Sequence, residues 1–340
     1  TLLLFFFTTI GLNAKLADVK QGGKSFVILL ALTLIYLIIQ DVIGMTTAAV
    51  LGGHPPSGLL VGSASLMGGH GTVIAWAPIF ESHGVKNAME IGIAAATFGL
   101  ILASIIGGPL ARFLINKNNL QSTLSDSDSL EVGVKTGKKP KTNITYSSFL
   151  SAFLTISVCI LLGDIVYNII QEFGITLPKY VCCLLIALIL TNTVPYFFRQ
   201  AHSRFYVFEW PARTPALGLL AELSLGIFLV MSLMSMRIWE LVDLAGPMLI
   251  ILLMQLIFAI LYIILIVFRA MGKNYDAAVI CGGFGGIALG STSTAMINMS
   301  AVTKRYGASH IAFIILPLVA ALFLDIANSI ALQVSISLFS

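Results

Sequence analysis

The chain has 340 residues, of which 58% are hydrophobic and 10% charged, with a formal net charge of +4; soluble domains carry about 25% charged residues. With a mean hydropathy of +0.98, this composition excludes a soluble enzyme, a disordered tail and a nucleic-acid binder, and places the chain in a lipid bilayer.

A helical span needs about 20 apolar residues. Residues 1–12 are apolar from the first position but too few to cross. They read as the end of a cut helix, in a chain lacking part of its N-terminus. Apolar runs of spanning length follow at 25–51, 90–115, 146–170, 179–198, 216–236, 247–268 and 310–339. Two further stretches, 57–75 and 277–299, are hydrophobic but rich in Gly, Ser and Thr and poor in Leu and Phe. Such a composition does not make a lipid-facing helix. It suits a re-entrant segment, whose irregular backbone is buried in protein or lines a wet cavity. The four cysteines, Cys159, Cys182, Cys183 and Cys281, lie in apolar runs without metal-ligand spacing and read as small packing residues.

Charge gives the topology. If both stretches return to their own side, the loops 13–24, 112–145, 199–214, 269–276 and 299–309 share one face. They then hold all of the 19 basic residues except Lys86, Lys179 and Arg237. The positive-inside rule makes that face cytoplasmic. A spanning 57–75 would swap every later loop and erase the bias. The polar segment 116–145 reads as a flexible cytoplasmic linker, so its Asn143-Ile144-Thr145 sequon stays unused.

The two glycine-rich stretches resemble each other. Gly68-Gly69-His70-Gly71 recurs as Gly282-Gly283-Phe284-Gly285, 214 residues later. Each follows a long helix and precedes another. On the assigned topology the first enters from outside and the second from the cytoplasm. The expected fold is thus an all-α polytopic membrane protein of two inverted-topology repeats, each with a re-entrant glycine-rich loop. Residues 1–115 form the first repeat with loop 57–75, residues 116–145 the linker, and residues 146–340 the second repeat with loop 277–299. The C-terminus falls on the outer side. Symmetry with 146–198 places roughly 60–80 residues before Thr1, by helix length. Inverted repeats whose broken segments meet near the midplane mark secondary transporters. An ion channel also uses re-entrant loops, but usually from parallel subunits around one axis. An intramembrane enzyme needs a nucleophile–base or metal constellation, and His70 beside Ser63 or Ser65 is a thin one. The chain is read as a carrier, not an enzyme, with no cofactor.

Residues 6–13, the Ser65-Leu-Met-Gly-Gly-His-Gly-Thr72 stretch and residues 95–112 resemble the bacterial sodium/glutamate symporter family. So do Met271-Gly-Lys-Asn-Tyr-Asp-Ala-Ala-Val279 and the tracts Arg305-Tyr-Gly-Ala-Ser-His310 and Asp325-Ile-Ala-Asn328. The resemblance implies sodium-coupled uptake of L-glutamate in the inner (cytoplasmic) membrane, with Na+ as coupling ion. It also implies a homodimer and no nucleic-acid partner. A related sodium/citrate-type family shares the Gly-Gly-x-Gly loops, so a citrate or dicarboxylate carrier is the alternative.

Glycine permits close approach of backbone to ligand, and half-helix N-termini favour carboxylates. Loop one therefore offers Ser63, Ser65, Gly68, Gly69, His70, Gly71 and Thr72 for the substrate. Loop two offers Gly282, Gly283, Gly285, Ser291, Thr292, Ser293 and Thr294. His70 serves equally well as substrate ligand or as a bond to a loop carbonyl, whereas Gly99, Gly107 and Gly108 read as helix-packing positions. Asp325 sits in mid-span, where a carboxylate costs about 2.5–3.5 kcal/mol, and Asn328 shares its helical face. With Asn298 they form the expected sodium set. Asp41 and Asp164 also lie in apolar runs and rank lower, as residues near an interface.

Overall fold

The structure, a computed structural model, describes residues 2–13, 19–121, 144–172, 179–200, 210–212, 214–235 and 245–339. Most of the linker at 116–145, with Asn143 of its sequon, lies outside these residues, as does most of the loop 199–214. Among the described residues there is no strand. In chain order come α1 (Leu2–Asn13), α2 (Val19–Val50), the short α3 (Pro55–Leu59), α4 (Gly69–Ser82) and α5 (Ala88–Lys117). Then follow α6 (Tyr146–Glu172), α7 (Lys179–Gln200), α8 (Pro215–Ser235) and α9 (Ala245–Tyr262). The last are α10 (Phe268–Ala270), α11 (Tyr275–Leu289), α12 (Thr292–Tyr306), α13 (His310–Val319) and α14 (Asp325–Ser337). Wide π turns at Leu60–Ala64, Ile263–Val267 and Ala320–Leu324 follow α3, α9 and α13.

Gly23–Val50, Ala88–Lys117, Tyr146–Glu172 and Gly246–Ala270 are long and apolar enough to cross a membrane. The expected runs at 179–198 and 216–236 are helical in α7 and α8. The run at 310–339 is not one continuous α-helix. Pro317 lies within α13, and the π turn separates that helix from α14. A proline removes a ladder donor and crowds the preceding turn, and a π turn absorbs the slip in register. Large apolar side chains stand exposed on several helices, among them Val27, Ile38, Ile105 and Leu161. Exposed apolar side chains on helices of spanning length are what an integral membrane protein presents to lipid.

The chain divides into two compact units, which do not follow the expected division at the linker 116–145. One is Thr1–Asp18 with Gly137–Met236; the other is Val19–Thr136 with Arg237–Ser340. In the first, Leu12, Ala152, Ile156, Cys159, Ala187 and Leu217 form a buried core. Here α1 presses so closely on α7 that a Cβ at Gly11 would lie 2.3 Å from the Leu184 carbonyl oxygen. Thr191 Oγ1 donates to the Leu12 carbonyl at 3.0 Å. Cys183 packs against Gly163, and all four cysteines are buried and unpaired.

The second unit is built around α2, α5 and α11. The backbones of α2 and α3 cross at Gly44 and Gly58, where a Cβ on either would lie 2.2 Å or less from the other's carbonyl oxygen. Helices α11 and α12 form a hairpin closed by Gly286, whose Cβ would lie 2.4 Å from Ala295 Cα. That hairpin packs along α5.

Candidate functional site

The first glycine-rich stretch is a broken helix. Pro55 and Pro56 start α3, where the missing N–H groups cost nothing. The π turn then leaves helical geometry at Gly62 (φ −82°, ψ −119°). The Ser65 hydroxyl lies between the carbonyls of Leu60 and Gly92, 3.1 Å from the latter. Gly68 N–H closes the turn on the Ser63 carbonyl at 2.8 Å. Gly69, at φ +66°, restarts the chain as α4. A Cβ at Gly68 would lie within 2.7 Å of Thr72 Cβ, Asn328 Nδ2 and the Ala64 carbonyl oxygen.

The second stretch breaks later than its composition suggests. Gly282, Gly283 and Gly285 lie inside α11, whose residues from Ala277 to Leu289 are all buried. They make room rather than unwind: Gly282 abuts Gly107 and Ala111, and Gly283 abuts Met299 and Leu316. Asn274 caps the helix by accepting from Ala277 N–H at 2.8 Å. The break falls at Gly290 and Ser291. Ser291 then caps α12: its hydroxyl accepts from Thr294 N–H at 3.2 Å and sits 3.1 Å from Thr294 Oγ1. Thr292 is half-buried, Ser293 exposed and Thr294 buried.

These two breaks meet. The open face of Gly69 points at the Gly290 carbonyl oxygen, 3.8 Å from its Cβ position. Both flank α5 at Gly99, whose Cβ would fall 2.4 Å from the Leu289 carbonyl oxygen and 2.5 Å from the Leu66 side chain. The N-termini of α4 and α12 thus open beside the same junction. The first N–H groups of a helix lack intrahelical partners and carry partial positive charge. His70, half-buried, reaches α5 instead of a loop carbonyl: its Nε2 pairs with Thr97 Oγ1 at 3.1 Å. Gly71 and Thr72 follow it, buried in the first turn of α4.

The polar side chains expected to hold sodium are spread out. Asn328 is fully buried and donates from Nδ2 to the Ser63 carbonyl at 3.1 Å. Asp325 is half-buried one turn earlier on α14, where its backbone carbonyl accepts from the Ser329 hydroxyl at 2.8 Å. Asn298 sits at the crossing of α12 and α5 and donates to the Ala103 carbonyl at 3.0 Å. Its amide fills the space that Gly107 leaves. Gly108, by contrast, has open space beside it and lines a cavity with Arg112, Lys117 and Arg305 at the ends of α5 and α12. Asp164 forms an exposed ion pair with Lys179. Asp41 is different: it lies nine residues before the end of α2 and is 2% exposed. Its neighbour Gln40 donates to the Ala288 carbonyl at 2.9 Å, and Gln255 of α9 donates to the Gln40 carbonyl at 2.8 Å. Sequence reasoning passed over Gln40 and Gln255, although each interrupts an apolar run. Among the described residues, no three His, Cys, Asp or Glu side chains gather to hold a metal.

Comparison with known proteins adds a family. The sodium/glutamate symporter model matches residues 1–308. A sodium/glutamate symporter of Escherichia coli (strain K12) is 41% identical over 99% of this chain and 82% of its own length. That of Haemophilus influenzae is 42% identical over 98% of this chain and 81% of its own. No solved structure matches the chain.

Proposed function

We propose that this chain, which belongs to the sodium/glutamate symporter family, is a secondary active transporter that takes up L-glutamate together with sodium ions. The observation that carries the site is the junction of the two breaks, with Gly69 against Gly290 and two helix N-termini opening beside it. L-glutamate is an elongated molecule with a carboxylate at each end. Two N-terminal helix ends, each equivalent to roughly half a positive charge, offer one binding place per carboxylate. The N–H groups of Gly69, His70 and Gly71 serve one, and those of Thr292 and Ser293 the other. The Thr72 and Thr292 hydroxyls complete the polar lining. Sodium binds at side-chain oxygens of α14, where Asp325 and Asn328 share a face.

The two broken segments are re-entrant and enter from opposite membrane faces, as inverted repeats require. Both belong to the same compact unit, so substrate and ions travel with that unit as access alternates. The chain works as a homodimer in the inner membrane, with its linker cytoplasmic and its C-terminus outside. The test is uptake of radiolabelled L-glutamate by proteoliposomes under an inward sodium gradient, with choline replacing sodium in a parallel set. Accumulation that requires sodium is the expected result. Uptake of citrate in place of glutamate overturns the substrate assignment, and glutamate uptake unaffected by choline overturns the coupling.

A further inference from the structure

Three helical elements of one unit converge on Ser63 in the π turn. Asp41 of α2 follows Gln40, whose carbonyl oxygen lies 3.4 Å from the Cβ position of Gly62, the residue before Ser63. Asn328 of α14 holds the Ser63 carbonyl through its Nδ2. Asp41 is 2% exposed, and Ser63 and Asn328 are fully buried. Even so, Asp41 Oδ1, Ser63 Oγ and Asn328 Oδ1 have no hydrogen-bond partner among the described residues. No Lys or Arg there pairs with Asp41 either.

The unpartnered atoms share a chemistry. Gln40 Oε1 and Gln255 Oε1 are also buried without partners, and Gln255 Nε2 lies 3.2 Å from the Cβ position of Gly62. In all three amides the NH2 end is bonded to a backbone carbonyl: Gln40 to Ala288, Gln255 to Gln40, and Asn328 to Ser63. That anchoring leaves the amide oxygen as the free end each time. Buried acceptors left unmatched cost about 1–3 kcal/mol apiece, and a buried carboxylate needs a counter-charge. A set of hard oxygens with one negative charge and no protein cation is complementary to a small cation stripped of water.

We propose that Asp41, Ser63 and Asn328 bind a dehydrated sodium ion in the interior of this unit, with Gln40 and Gln255 flanking it. This rests on the symport reading above and adds a second acid beside the α14 oxygens: Asn328 holds the Ser63 carbonyl, and α2 brings Asp41 to the same π turn. The placement also supplies a coupling route. The turn from Ser63 to Gly69 carries a cation ligand at one end and the substrate junction at the other. Gly68 between them is held against Asn328. A cation that fixes this turn fixes the N-terminus of α4, so each ligand raises the affinity for the other, as linkage requires.

The test reads cation binding apart from transport. The full chain, purified without glutamate, is melted across a titration of NaCl against choline chloride at constant ionic strength. A ligand that binds the folded state raises the melting temperature. Sodium is expected to stabilise the unaltered protein. Asp41→Asn is expected to raise the half-effective sodium concentration roughly tenfold or more, the scale of one lost charged contact. Ser63→Ala is expected to raise it less, and it decides the question if Asp41→Asn does not fold. Asp164→Asn leaves it unchanged. An unchanged sodium midpoint in Ser63→Ala and in any folded Asp41→Asn overturns the site, as does equal stabilisation by sodium and choline. Glutamate uptake by the unaltered protein is measured alongside. Its absence, with the sodium shifts intact, sinks the symport reading and leaves the cation site standing.

Discussion

Gly68 and Gly108 look alike in the sequence, each the neighbour of a second glycine, and their surroundings separate them. A Cβ at Gly68 meets Thr72, Asn328 and the Ala64 carbonyl at 2.7 Å or less, while one at Gly108 meets nothing within 4 Å. Overpacking a closed site costs about 1–3 kcal/mol. Gly68→Ala is expected to lower the melting temperature and abolish sodium-driven uptake. Gly108→Ala should stay within about 0.5 kcal/mol of the parent, as open surface changes do, so its expected packing role is not what the structure gives it. The three intramembrane aspartates make the same point. Asp41, Asp164 and Asp325 each read as one acid in an apolar run. Only neighbours across space distinguish them, because Asp164 meets Lys179 near an exposed helix start while Asp41 is buried against the π turn. Exposed pairs are worth about 0–1 kcal/mol, so Asp164→Asn is expected to melt and transport nearly as the parent does.

At the scale of the element, the breaks matter more than the helices. The apolar runs were legible because burial and lipid both select long apolar stretches, and α2, α5, α6 and α9 with its continuation follow them. The second break was misplaced for a physical reason. Glycine lowers helix propensity by about 1 kcal/mol per residue, so Gly282–Gly286 reads as unwound. Buried helices crossing closely also need small residues, and here that need prevails: α11 stays helical and Gly107 approaches it. The break is set instead by Ser291, whose side chain caps α12. Ser291→Ala is expected to cost about 1 kcal/mol of helix-start stability. Amide exchange should quicken in the first turn of α12, and the glutamate concentration for half-maximal uptake should rise. Ser291→Asp should keep the cap but repel the substrate carboxylate. A variant with faster exchange and unchanged glutamate affinity would remove this helix start from the substrate site.

For the whole molecule, charge placement reads sidedness while packing hides from it. The basic loops give a cytoplasmic face on sequence grounds, and a reagent that cannot cross the membrane checks it. Ser127→Cys is expected to react only from the cytoplasmic side and Lys86→Cys only from the outer side. The four native cysteines are buried and should stay silent. Reaction of both positions from one side would undo the inverted arrangement. The division into two units was not legible. Repeats are read along the chain, whereas the units interleave it, joining α1 to α6, α7 and α8 through contacts far apart in sequence. The polar interior around Ser63 was hidden for the same reason, since Asp41, Ser63, Gln255 and Asn328 are brought together only by the fold.

Coupled transport runs in both directions, so a glutamate gradient alone drives sodium. Proteoliposomes with equal sodium on both sides and the membrane potential clamped at zero receive L-glutamate outside only. If glutamate and sodium move on one carrier, radiolabelled sodium accumulates inside for as long as the glutamate gradient lasts, and Asp41→Asn abolishes the accumulation. Glutamate entry with no net movement of sodium would exclude coupling of the two on this carrier.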